Sequence, residues 1–136
     1  MKFNKIAVLL GAMMMVLSIL ACSALSTTPT ASNFYMASDS QGTNKTTTFS
    51  PSDDFYVFFD VSNIKDGTIF ESKWYALNVT GQDPAKPFKT LDYTYSSGVG
   101  TIYMQLTNSG SWPAGNYKVE IYMTDTKTGE LQFSVK

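Results

Sequence analysis

The chain has 136 residues, with ten lysines, eleven acidic residues, one cysteine and neither arginine nor histidine. That length suits one folded domain, and a lone cysteine excludes an internal disulfide. Lysines scattered singly from Lys45 to Lys136 lack the clustering that a phosphate backbone requires, which argues against nucleic acid as a partner.

At the start of the chain, Lys2 and Lys5 precede Ile6 to Ala21, IAVLLGAMMMVLSILA, an uncharged run. A positive segment, an apolar segment and a small-residue end form the layout of a secretory signal. The run is short of the roughly twenty residues that a membrane-spanning helix needs, and it has no polar face of the kind a core helix shows.

Ile19-Leu20-Ala21-Cys22 closes that run and resembles the lipobox of bacterial lipoprotein precursors. The resemblance implies that the thiol of Cys22 receives a diacylglyceryl group, that cleavage falls before the cysteine, and that the freed amine is acylated with a fatty acid such as palmitate. Two or more acyl chains, at about 0.8 kcal/mol per buried methylene, anchor a protein stably where one chain is marginal. The expected location is therefore the extracytoplasmic face of a cell membrane, with the membrane as partner through Cys22. The expected organisation is residues 1–21 as signal peptide, residues 22–32 as lipidated cysteine plus tether, and residues 33–136 as the domain. Past the signal, eight lysines face eleven acidic residues, a net charge of about −3, which favours solubility.

From Ser23 to Ser32 (SALSTTPTAS) only Leu25 is large and apolar. Such a stretch cannot bury enough surface to offset its ordering entropy and reads as a flexible tether. Beyond it, apolar and aromatic runs are separated by Gly, Pro, Asn, Asp and Ser, and seven strands are predicted. They are Asn33 to Ser38, Asp54 to Val61, Glu71 to Val79, Phe88 to Tyr95, Gly100 to Thr107, Asn116 to Thr124 and Glu130 to Val135. Turns are expected at Gln41-Gly42, Ser50 to Asp53, Lys65 to Gly67, Gly81 to Pro84, Asn108 to Gly110 and Thr126 to Gly129. Alternation puts Tyr117, Val119, Ile121 and Met123 on one face of the sixth strand. Ile102, Met104 and Leu106 in the fifth strand, and Leu131, Phe133 and Val135 in the last, follow the same rule. Phe55, Val57, Phe59 and Val61 complete the expected core.

Strands of this number and spacing predict an all-β, immunoglobulin-like antiparallel sandwich, with a small barrel as the alternative. Ser111-Trp112-Pro113-Ala114-Gly115-Asn116-Tyr117 resembles the W-P-x-G-x-Y lead-in to the penultimate strand of many bacterial immunoglobulin-like domains. In a tyrosine corner, such a Tyr returns its hydroxyl to upstream backbone. Trp74 stands where that class keeps a core tryptophan. From Phe49 to Val135 the chain resembles an uncharacterised family of bacterial exported lipoproteins with one such domain, which implies a fold and a location but no activity.

For catalysis the residues offer little. Without histidine a Ser or Cys nucleophile lacks its commonest base, and Cys22 is committed to the anchor. Gly98-Val99-Gly100 lacks the third glycine and the helix of a phosphate-binding loop. Asp53, Asp54, Asp60, Asp66, Glu71 and Asp83 read as turn and strand-end residues, with Asp53 supporting the loop after Pro51. Asp39 to Gly42 and Asn63 to Asp66 offer oxygen ligands for calcium, but no D-x-[DN]-x-[DN]-G run is present. The expectation is a non-enzyme with no cofactor and no metal.

A surplus of aromatics remains. Alternation turns Tyr56 and Phe58 outward on the second strand, Tyr103 on the fifth, and Tyr75 and Tyr122 on the opposite sheet. Exposed aromatic patches mark interaction sites, so the expected function is a binding or assembly module that meets another protein or itself. The alternative is a glycan or small-ligand module built on Tyr75, Trp112 and Tyr122.

Overall fold

The computed structural model describes residues 27–136. The readings made on the signal segment and on Cys22 lie outside the described residues. Among the described residues there are eight strands: β1 (Thr30–Ala37), β2 (Thr48–Phe49), β3 (Phe55–Ser62), β4 (Ile69–Ala76), β5 (Lys89–Thr94), β6 (Thr101–Leu106), β7 (Gly115–Met123) and β8 (Thr126–Val135). They form a three-stranded sheet in the order β1-β3-β6 and a five-stranded sheet in the order β2-β8-β7-β4-β5. Every pairing is antiparallel except β2 with β8. This is the immunoglobulin-like sandwich.

The period-two pattern explains which faces meet. Tyr117, Val119 and Ile121 of β7, Ile102, Met104 and Leu106 of β6, and Phe133 and Val135 of β8 are all buried between the sheets. Phe55 is the centre of this core. Its ring lies 4.9 Å from Phe49, 4.8 Å from Phe133, 4.8 Å from Trp112 and 6.2 Å from Trp74. Aromatic pairs at such separations contribute about 0.5–1.5 kcal/mol each beyond area burial, so the domain coheres without a disulfide. Trp74 is fully buried and its Nε1 donates to Ser72 Oγ at 3.0 Å, which accounts for the buried serine. Tyr117 Oη donates to the carbonyl of Pro113 at 2.6 Å, closing the tyrosine corner expected from W-P-x-G-x-Y.

The strands depart from the sequence expectation at four places. First, β1 starts inside the stretch expected to be tether, since Thr30, Ala31 and Ser32 pair with Ser62, Val61 and Asp60. A ladder needs backbone groups rather than apolar side chains, and Thr30 Oγ1 also meets Ser62 Oγ at 2.6 Å. Second, β2 adds an eighth strand, in which buried Phe49 pairs with Val135. A two-residue strand has no readable period. Third, the last turn is not Thr126 to Gly129. The β7–β8 hairpin turns at Thr124 and Asp125, with φ of 45° and 64°, a pair of left-handed residues that matches the twist of the flanking strands. Gly129 lies in β8 instead, where an added Cβ would come 2.7 Å from the Phe34 ring. Fourth, Tyr56 and Phe58 point outward from the sandwich but are buried. A loop and a neighbouring ring cover them, as described below.

Candidate functional surfaces

On the outer face of the three-stranded sheet, aromatic rings form a row across all three strands. Tyr35 of β1 stacks on Phe58 of β3 with centroids 5.0 Å apart and an interplanar angle of 4°. Phe58 lies 5.5 Å from Tyr103 of β6, and Tyr56 lies 6.2 Å from Tyr103. The register that pairs Tyr35 with Phe58 and Phe58 with Tyr103 produces this row, because cross-strand neighbours on one face stand within side-chain reach.

The loop after β1 closes over one end of the row. Asp39 Oδ1 accepts hydrogen bonds from the N–H groups of Gln41 and Thr43 and from the Thr43 hydroxyl, while Oδ2 accepts from the N–H of Asn44. The Asn44 bond, with those of Thr43 and Gln41, holds the Asp39 pKa below the ordinary carboxylate range. The folded loop lays Gly42, at φ 68°, against the Tyr35 hydroxyl and the Phe58 ring. Lys45 sets its ammonium 4.0 Å from the Tyr35 ring centroid, a cation–π contact. Tyr103, at the uncovered end, stays 49% exposed.

The outer face of the five-stranded sheet is built from charge. Its centre is Glu120 of β7, only 6% exposed. Lys118 Nζ donates to Glu120 Oε1 at 2.7 Å, Lys127 Nζ to the same oxygen at 3.2 Å, and the Tyr122 hydroxyl to Oε2 at 2.8 Å. Burial works against the charge of Glu120, and the three donors more than offset it, lowering its pKa to about 2. The pairing of β7 with β8 sets Glu120 opposite Glu130, a like-charge juxtaposition that destabilises a sheet. Lys127 resolves it by bonding to both carboxylates.

Tyr75 and Tyr122, expected as ligand-binding residues, come together on this face, and the lysines occupy their rings. Lys73 Nζ lies 4.3 Å from the Tyr122 centroid and Lys118 Nζ lies 4.7 Å from that of Tyr75. The bond to Glu120, then burial, raises the Tyr122 pKa; for Tyr75 burial comes first and the Glu120 charge second.

Trp112 is not with them. It packs from the opposite side of the five-stranded sheet onto Phe55, and its Nε1 donates to the carbonyl of Asp53 at 2.8 Å. It lines a small cleft of about 80 Å³ with Ala76, Val79, Phe88 and Tyr117.

Three of the acidic residues weighed for catalysis, Asp53, Asp54 and Asp60, accept hydrogen bonds from amides and a hydroxyl. Asp53 Oδ2 accepts from the N–H of Ser50, Asp54 from Asn108 N–H and Gln105 Nε2, and Asp60 from Asn33 Nδ2 and Thr101 Oγ1. Among the described residues no group of three or more acidic, His or Cys side chains is gathered as a metal site. The buried role of Glu120 escaped sequence reasoning, because alternation alone places it outward. Lys118 and Tyr122 flank it two residues away on β7 itself, but Lys127 reaches it from β8, which only the register supplies.

Two packed sheets in this order, joined by a tyrosine corner, define the chain as an immunoglobulin-like β-sandwich protein. It is similar in structure to an immunoglobulin-like protein from Pseudomonas aeruginosa, with a TM-score of 0.59 and 13% identity over 80% of this chain and 97% of the other. It is also similar to part of an alkylpurine DNA glycosylase from Pseudomonas fluorescens bound to DNA containing an abasic site analog. There the TM-score is 0.51 and the identity 11% over 79% of this chain, which spans only 30% of the glycosylase. At these identities the likeness concerns the fold alone. No protein-family model matches the sequence, and no curated protein matches it significantly.

Proposed function

We propose that this chain is a lipid-anchored protein of the extracytoplasmic membrane face, whose immunoglobulin-like domain is a non-catalytic binding or assembly module. The observation that carries the reading is the run from Lys2 to Cys22, in which a positive start and an uncharged apolar stretch end at Ile19-Leu20-Ala21-Cys22. A short Ser/Thr/Pro segment then leads into β1 at Thr30. The engagement of Asp53, Asp54 and Asp60 with structural amides supports a non-catalytic role. Glycan stacking is the weaker reading, since a sugar would have to displace Lys73 and Lys118 from the Tyr122 and Tyr75 rings.

The test is metabolic labelling of cells with a palmitate analogue. Wild-type chain is expected to carry the label in the membrane fraction, and Cys22→Ser to lose it. Label retained by Cys22→Ser would refute the anchor.

A further inference from the structure

The sandwich has four sheet edges, and three of them carry features that prevent pairing with another chain. The β1 edge is broken by a bulge between Ser32 and Tyr35, with Asn33 at φ 54°. The β2 edge is only two residues long, and the part of β8 that it leaves unpaired carries Lys127 and Glu130. The β5 edge exposes Lys89 and Asp92. Bulges, brevity and charge are the standard means of blunting an edge strand.

The fourth edge, β6, has none of these. Its sequence is Thr-Ile-Tyr-Met-Gln-Leu, with no charge and no proline, and its register with β3 is unbroken. The direction of its free backbone groups follows from one hydrogen bond. Val61 N–H donates to the carbonyl of Gly100 at 2.9 Å, in the register that also pairs Phe59 with Ile102 and Val57 with Met104. Successive residues of a strand direct their backbone groups to opposite sides. Gly100, Ile102, Met104 and Leu106 therefore bond to β3, and Thr101, Tyr103 and Gln105 offer their N–H and C=O groups outward.

We infer that β6 is a self-association edge, on which a second copy of this chain adds its own β6 antiparallel to form one continuous sheet. Two observations select a second copy as the occupant. An uncharged strand opposes itself without like-charge repulsion, and a register centred on Tyr103 matches the strand to itself. That register sets Tyr103 against Tyr103, Ile102 against Met104, and Thr101 against Gln105 of the second copy. Aromatic meets aromatic, apolar meets apolar and polar meets polar, the favourable cross-strand classes, and every outward-directed residue exchanges both backbone bonds. Tyr103, half exposed and already stacked on Phe58, is held in place for the contact. The two-fold axis of such a pair is perpendicular to the sheet, so both Thr30 ends stand at equal height, as two chains tethered to one membrane require. The inference deepens the assembly half of the proposed function; the pairing geometry itself does not depend on the lipid.

Oxidative cross-linking of the full-length chain in cells tests the register. Directly opposed residues of a bonded antiparallel pair have Cα atoms about 5.5 Å apart, within the range a disulfide spans. Tyr103→Cys is expected to give a reducible species of twice the chain mass, severalfold above both wild type, whose only thiol is Cys22, and Thr101→Cys alone. Co-expressed Thr101→Cys and Gln105→Cys chains should cross-link to each other. As a second measurement, Tyr103→Pro deletes an outward N–H, which an edge strand tolerates, together with the ring on Phe58, and Tyr103→Ala, which removes the ring but keeps the N–H, is its control. Tyr103→Pro should keep the wild-type circular dichroism and sediment in detergent as monomer where wild type sediments as dimer.

Three results would overturn the inference: no Tyr103→Cys dimer, equal dimer from Thr101→Cys alone, or an adduct of another mass, which would point to strand addition by a different protein. Palmitate-analogue signal read from the same samples separates the two proposals. Label without cross-link removes the β6 edge and leaves the anchor, and cross-link without label does the reverse.

Discussion

The two outer faces of the sandwich both carry tyrosines on outward strand positions, joined on the three-stranded sheet by Phe58, and protect them in opposite ways. On the three-stranded sheet the rings cover one another, and a loop pinned by Asp39 lays Gly42 across Tyr35 and Phe58. On the five-stranded sheet lysine ammonium groups cover the rings and are themselves fixed by Glu71, Glu120 and Glu130. The first solution rests mainly on ring packing, with the Asp39 carboxylate and the Lys45 ammonium as its ionised supports. The second depends on ionisation. Position on an outward face therefore does not tell whether an aromatic is exposed, and Tyr103 is open only because neither device reaches it.

The comparison is broken most sharply by truncating the apolar face. Phe58 is 5% exposed although it lies outside the inter-sheet core, and it touches both Tyr35 and Tyr103. Phe58→Ala is expected to cost about 3–5 kcal/mol, the range for a phenylalanine in a true core, measured by urea denaturation. A loss below about 1 kcal/mol, the size of an ordinary surface change, would show that the row is only a surface decoration.

The charged face has a pH signature centred on one buried carboxylate. The pKa of Glu120 falls from 4.5 to about 2 on folding, so its charged form is favoured in the native state. Its contribution is complete above pH about 4.5 and is lost as pH falls through about 2. The shift corresponds to roughly 3 kcal/mol at neutral pH. Glu120→Gln should be less stable than wild type by about that amount near pH 7, and most of the gap should close near pH 2.5. Because Asp39 and Asp60 titrate in both proteins, the difference between the two denaturation series isolates Glu120. A gap unchanged between the two pH values would mean that Glu120 acts through its shape and not its charge.

How far the sequence carries this picture differs between the core and the faces. Strict alternation in β6, β7 and β8 identified Ile102, Met104, Leu106, Tyr117, Val119, Ile121, Phe133 and Val135 as core, and all are buried, because a half-buried strand states its faces every second residue; Met123 and Leu131, expected with them, are only partly buried against that core. The W-P-x-G-x-Y segment located the tyrosine corner because its proline, glycine and tyrosine act within one short turn. Cover for the outer faces arises from residues distant in sequence, such as Gly42 over Phe58 or Lys73 over Tyr122. No local pattern encodes it. The grouping of Tyr75, Trp112 and Tyr122 divides for the same reason: Trp112 follows a turn and packs inward on Phe55, whereas the two tyrosines share the far side of a sheet whose register only the fold sets.

The subtlest difference between covered and uncovered surface can be measured at two glycines with nearly the same backbone. Gly42 and Gly67 have φ of 68° and 81°, so an alanine at either bears the left-handed penalty of roughly 1 kcal/mol. At Gly67 an added Cβ meets nothing, whereas at Gly42 it stands 2.7 Å from the Tyr35 hydroxyl and 3.2 Å from the Phe58 ring. The hydroxyl is the end of a flexible side chain and can yield, but Phe58 is held between Tyr35 and Tyr103. Gly42→Ala is therefore expected to exceed Gly67→Ala in cost by about 1 kcal/mol, the low end of overpacking, by denaturant midpoint at equal slope. The loop must also lift from the ring row to admit the methyl, so Gly42→Ala should increase the access of a tyrosine-reactive probe to Tyr35, while Gly67→Ala leaves it unchanged. Equal costs for the two substitutions would mean that the loop rests on the aromatic row without holding it closed.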